Sequence, residues 1–170
     1  MTVEEIFTTL SNHMVKGLMI HSDYADYYYF LNLCGYGDMH NKHYVSESLS
    51  HRNLHKWYIT HYNKLIPEER FDYKSVIPES WYKYARKDVG GSTIREAVKD
   101  GLTTWVEWER ETKKLYEQTY KELMSLDEVS AALFVKDLVC DVTDELCKAE
   151  EYHLRKKAMD YSLSDIYADQ

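Results

Sequence analysis

A chain of 170 residues, 44% of them hydrophobic, is long enough for one packed domain and too apolar to be disordered by composition. Its formal net charge of −8 argues against a general binder of nucleic acid or anionic membrane, which needs a basic surface. Six Gly and two Pro favour long helices over a turn-rich all-β fold, and no apolar run approaches the ~20 residues of a membrane span.

The first helix is expected from about Val3 to Leu33. Its stripe (Leu10, Met14, Gly17/Leu18, His21, Tyr24/Ala25, Tyr28, Leu31) alternates steps of three and four, as a buried helical face does. Gly35 and Gly37, within CGYGDMHNKH, are read as the stop and turn. A second helix is expected from about Tyr44 to Leu65, with a more polar stripe and Pro67 as terminator. Residues 67–92 carry both prolines, Gly90-Gly91 and an aromatic cluster (Trp81, Tyr82, Tyr84). The stretch is long enough to cross the length of a bundle, pinned by Trp81 and its neighbours, with room for a short helix around Ser80 to Arg86.

The third helix is expected from Ser92 or Thr93, capped there with Glu96 closing a capping box, to about Met124. Its stripe is the cleanest: Val98, Leu102, Trp105, Tyr116, Leu123. Ser125-Leu126-Asp127 makes a short turn, and a fourth helix follows to about Met159 on Val135, Leu138, Val142, Leu146 and Ala149. The tail 161–170 shows no long pattern and is expected to pack loosely. Hairpin, long crossover, hairpin is the layout of an all-α, up-down four-helix bundle with one long crossover connection, a single domain over 1–160.

Each stripe is interrupted near its middle by a polar residue: His21, then His51 or His55 with Glu47 on the same face, then Glu109, then Glu145. A buried imidazole or carboxylate is costly unless it is paired, hydrogen-bonded or metal-bound. Counting outward from the two expected turns brings His21 opposite His55, with His51 one turn away, and Glu109 opposite Glu145, to within about 5 Å. Imidazole with carboxylate suits iron, manganese or zinc, and Tyr24, Tyr28, Tyr58 and Tyr116 on the same stripes can hydrogen-bond the groups that back the ligands. Singly, each has a plainer explanation. His21 reads as a satisfied core histidine, the Glu47-to-His61 face as solvated or tyrosine-bonded, and Glu109 as a partner of Arg52 or a histidine. Glu150-x-x-His153 lies further along and reads as a peripheral ion pair or surface patch.

The three cysteines (Cys34, Cys140, Cys147) are odd in number and form no C-x-x-C, so neither a disulfide framework nor a zinc knuckle is expected. Reduced thiols and an acidic, amphipathic start, MTVEEIFTTL, unlike a signal peptide, point to the cytoplasm.

On these residues the chain resembles the ferritin-like superfamily over about residues 5–157. YADYYYFL is similar to the tyrosine-rich first helix of ferritins, SHRNLHKW to the second-helix stretch that carries Glu-x-x-His, and WVEWERETKKLYE to the third-helix segment that carries a ligand Glu, here Glu109. The resemblance implies a dimetal site, from which the chain departs. His21 or Ser22 stands where the first helix should offer a carboxylate, Arg52-x-x-His55 where Glu-x-x-His is wanted, and Glu145-x-x-Lys148 on the fourth helix. The small acidic chain also resembles ferritin-like proteins encoded by bacterial mobile elements and phages.

Three functions are therefore expected to compete. The first is a non-standard site for iron or manganese, built from His21, His55, Glu109 and Glu145 with His51 and Glu47 in reserve, and redox-active with oxygen or peroxide. The second is a metal-free, acidic, tyrosine-rich protein that binds another protein, such as a basic nucleic-acid-binding one. The third is a small-molecule pocket lined by tyrosines and histidines. A homodimer is the default assembly.

Overall fold

The computed structural model describes residues 1–67, 72–83 and 85–169. Four long helices carry the fold: α1 (Val3–Phe30), α2 (Cys34–Tyr62), α3 (Gly91–Ser125) and α4 (Val129–Ala158), followed by a short α5 (Leu163–Ala168). α1 starts on a capping box, with the Thr2 hydroxyl accepting from Glu5 N–H and the Glu5 carboxylate accepting from Thr2 N–H. α1 packs along α2, and α3 along α4. The Tyr62 hydroxyl donates to Glu128 at 2.9 Å, which places the end of α2 beside the α3–α4 turn. Arg86, late in the crossover, donates to Asn32 Oδ1 at 2.8 Å, which returns the chain to the α1–α2 turn before α3 begins. The crossover thus runs the length of the bundle, and α2 and α3 run in the same direction.

The first turn is not where the glycines suggest. α1 stops at Phe30, and the chain reverses through Leu31, Asn32 and Leu33, with Asn32 in the left-handed region at φ 59°. Asparagine tolerates that conformation better than most side chains. Gly35 and Gly37 lie inside the first turns of α2. A Cβ on Gly37 would come 2.6 Å from the Tyr29 ring, so this glycine permits helix packing and does not end a helix. The expected helix starting at Tyr44 therefore gains ten residues at its beginning, and every pairing between α1 and α2 shifts. At the other end α2 stops at Tyr62, with Asn63 left-handed at φ 53°.

The expected capping box at α3 does not form. The helix begins one residue earlier, with Gly90 at the cap position and no side-chain capping bond. In the crossover, Trp81 packs edge-on against Tyr27 with ring centroids 4.5 Å apart. The short helix expected there is two 3-10 turns, Glu79–Lys83 and Arg86–Asp88, and Tyr84 lies outside the described residues.

The tail does not pack loosely. Ile166 of α5 is fully buried and belongs to the same apolar cluster as Ile94 and Val98 of α3. The Lys156 ammonium, only 1% exposed, pairs with Asp165 and Asp169, and Tyr152 also donates to Asp169. Burial alone would lower the Lys156 pKa, but hydrogen bonds to Asp169 and Asp165 outweigh it and hold the ammonium above the ordinary lysine value. Removing both carboxylates strands a buried charge. The double substitution Asp165→Asn with Asp169→Asn is expected to cost about 2 kcal/mol, less than a wholly buried pair because both aspartates are partly exposed. Faster amide exchange across 163–168 than in the wild-type chain checks it; unchanged protection would refute the latch.

The apolar interior forms two clusters. One, near the α1–α2 turn, gathers Tyr24, Tyr28, Leu33, Leu102 and Trp105. The other, near the α3–α4 turn, gathers Phe7, Leu10, Met14, Leu54 and Leu123. Each fully buried aliphatic or Phe side chain contributes about 2 kcal/mol. Polar side chains occupy the layer between the clusters.

Candidate metal centre

The layer draws on each of the four long helices. His21 (α1), 1% exposed, and Glu109 (α3), 4% exposed, meet His43 of α2. One ligand atom from each lies within 4.8 Å of the other two. Glu47 of α2 and Glu145 of α4 line the adjoining cleft of about 70 Å³, together with Glu109, His43 and Tyr116. His43 Nδ1 is 3.8 Å from Glu145 Oε2, while Lys148 donates to Glu145 Oε1 at 2.8 Å. Trp105 Nε1–H donates to Glu109 Oε1 at 3.1 Å and fixes that carboxyl.

His40, fully buried on α2, stands behind His21, their Nδ1 atoms 3.1 Å apart. One of the two nitrogens carries the proton. If His21 donates, its Nε2 keeps a lone pair, and that nitrogen is buried with no hydrogen-bond partner.

Burial sets the protonation of the layer. His21 is held well below the usual imidazole range, first by burial and then by the charges His40 and His43 would carry. Burial brings His40 down to about 3. His43 is lowered by burial, with Glu145 opposing. Glu47 is pushed up to about 7 by burial. Glu109 is pushed up to about 8, by burial first and the neighbouring Glu47 charge second, with the Trp105 hydrogen bond opposing. Near neutral pH the layer therefore offers neutral imidazoles with lone pairs, and burial favours the protonated form of Glu47 and Glu109.

Of the residues singled out from the sequence, His21, Glu109, Glu145 and Glu47 share this layer. His51 and His55 do not. Their Nε2 atoms sit 3.0 and 2.8 Å from Ser11 Oγ, and Ser11 precedes His21 by ten residues, about 15 Å along α1. The reason is the misplaced first turn. His43 follows Asn32 by as many residues as His21 precedes it. The residues missed were His40 and His43, whose His40-x-x-His43 spacing occupies the place sought at Arg52-x-x-His55; Arg52 is exposed. Glu150 pairs with Arg110 at 2.6 Å on the surface, and His153 bonds the Tyr161 hydroxyl at 2.8 Å, so that motif is peripheral.

No protein-family model matches the chain, and no curated protein matches it. Solved structures do. A ferritin from Archaeoglobus fulgidus, engineered to a closed form, superimposes with a TM-score of 0.80 at 9% identity, covering 99% of this chain and 94% of the other. The apo-ferritin of Pseudo-nitzschia multiseries gives a TM-score of 0.76 at 8% identity over 97% and 94%. An iron-soaked PmFTN variant gives 0.77 at 10% identity over 97% and 94%. The chain has the ferritin-like fold.

Proposed function

We propose that this chain binds a transition-metal ion, iron in the first place, through His21, His43 and Glu109, with Glu47 and Glu145 alongside. The observation that carries the reading is the convergence of two imidazoles and a carboxylate from three helices in a buried layer. The donor set fits: neutral imidazole and carboxylate suit iron, and the unpartnered His21 Nε2 needs a partner. Iron-soaked crystals of proteins with the same fold make iron the first metal to try. Bound there, it would supply redox chemistry with dioxygen or peroxide. The protein's part is to hold the ligands. His21 Nδ1–H donating to His40 fixes the tautomer, Trp105 holds Glu109, and Lys148 tempers the charge of Glu145 at the mouth.

The test is elemental analysis and anaerobic iron(II) titration of the wild-type chain and of His43→Ala and His55→Ala. His43→Ala is expected to lower affinity by about 100-fold or more and His55→Ala to leave it within about twofold, since one imidazole lies in the layer and the other does not. The same analysis separates iron from manganese and zinc. A wild-type chain that takes up no metal, or a loss confined to His55→Ala, overturns the site and turns attention to a metal-free, acidic chain that binds another protein.

A further inference from the structure

A second cleft, of about 280 Å³, lies between α1 and the crossover, away from the His/Glu layer. Aromatic rings make most of it: Tyr27 and Phe30 from α1, Trp81 and Tyr82 from the crossover. Tyr27 and Trp81 meet at 67° with centroids 4.5 Å apart, so two π-systems form a corner. Ile77 and two carboxylates, Asp23 and Asp26, complete the lining, and no Lys or Arg is among the described residues that form it.

The walls are held in place by a relay. The Tyr82 hydroxyl lies 3.2 Å from Ser75 Oγ, and Ser75 donates in turn to Asp23 Oδ2 at 2.6 Å. The Tyr73 hydroxyl donates to the same oxygen at 2.8 Å. Tyr82 is 68% exposed yet tethered, as the wall of a binding site must be and a loose surface tyrosine need not be.

We infer that this cleft binds a small organic cation of the quaternary-ammonium class. Aromatic rings attract cations through their negative faces, and carboxylates at the rim add charge of the right sign. An anion is repelled by Asp23 and Asp26. A bare metal ion wants several oxygen ligands, which aromatic walls do not supply. Ring faces offer no lone pair to an N–H group, so the cleft favours an ammonium that carries none; Asp23 Oδ2 is taken up by two hydrogen bonds, and Asp23 Oδ1 and Asp26 add negative charge. Such a head group is weakly hydrated and sheds its water cheaply.

The experiment is isothermal titration of the wild-type chain with choline and with its neutral tert-butyl isostere, repeated on Trp81→Leu and Asp26→Asn. Choline is expected to saturate and to bind about tenfold more tightly than the isostere. Trp81→Leu should abolish the preference. Asp26→Asn, at an exposed position whose side chain makes no hydrogen bond or ion pair with another described residue, should weaken choline about threefold and leave the isostere unchanged. Equal binding of the two compounds, no saturation by choline, or an undiminished preference in Trp81→Leu overturns the inference. None of these readouts depends on metal in the His/Glu layer.

Discussion

Glu109→Gln is expected to make the metal-free chain more stable at pH 8 and to erase the stabilisation conferred by iron(II). The two effects have one cause. A carboxyl held at about 8 in the folded chain titrates near the ordinary 4.5 once unfolded. Below pH 4.5 it is protonated in both states and does not affect the balance. Between 4.5 and 8 only the unfolded chain gives up the proton, so stability is lost progressively as pH rises. Glutamine has no such proton and can still accept from Trp105 Nε1–H. The gain at pH 8 is on the order of 3 kcal/mol, roughly 5–10 °C in Tm for a chain of this size, and it vanishes at pH 4. Adding iron(II) anaerobically is expected to raise the Tm of the wild-type chain, as an ion that binds only the folded state would, and to leave the variant unmoved. Thermal melts at the two pH values, with and without iron(II), check both halves. A variant less stable than wild type at pH 8 would mean that Glu109 is already ionised and paired. The histidines set the acid side. His40, at about 3, and His13, brought down to about 4 by burial and then by Lys16, fold neutral. Below about 6.5 the unfolded chain takes up protons that the folded chain refuses, and stability falls as pH drops.

Gly101→Ala is expected to destabilise the chain by about 2–3 kcal/mol, although the same change inside most helices gains about 1 kcal/mol. A Cβ at this position would lie 1.8 Å from the Tyr28 hydroxyl oxygen and 2.9 Å from its Cζ. Tyr28 cannot retreat. Its hydroxyl donates to the Ala97 carbonyl at 3.1 Å, and its ring is walled by Tyr24, Tyr36 and His40. Displacing it disturbs His40, which stands behind His21. Denaturant unfolding measures the loss, and Tyr28→Phe in the same chain should recover part of it by removing the atom in closest conflict. A neutral or stabilising Gly101→Ala would show that the Tyr28 ring is freer than the packing implies.

The four long helices, the crossover and the short second turn were legible because their signals are periodic: steps of three and four, a proline-bearing break, and Ser125-Leu126-Asp127 between two clean stripes. His21, Glu47, Glu109 and Glu145 were legible as interruptions of those stripes. The error at the first turn followed from treating Gly35 and Gly37 as helix breakers, when Gly37 serves the packing of the Tyr29 ring. Asn32, able to adopt a positive φ, was the better turn residue. One misplaced turn moved the register of α2 and exchanged His43 for His55. The latch of α5 was hidden for a different reason. A lysine near a helix end reads as solvated, and its burial depends on aspartates nine and thirteen residues later that no periodic pattern links to it.

The polar layer belongs to neither hairpin alone. Its imidazoles come from α1 and α2, while Glu109 and Glu145 come from α3 and α4. Both tryptophans at this level of α3 lie against histidines of the other hairpin, Trp108 stacked on His13 with centroids 4.2 Å apart and Trp105 beside His43 at 4.9 Å. Short turns let each hairpin close by itself, whereas joining them requires the long crossover to be spanned. In a chain with Trp57 and Trp81 replaced by Phe, the emission of the two α3 indoles is therefore expected to change when the hairpins dock, because both rings sit on the junction between them.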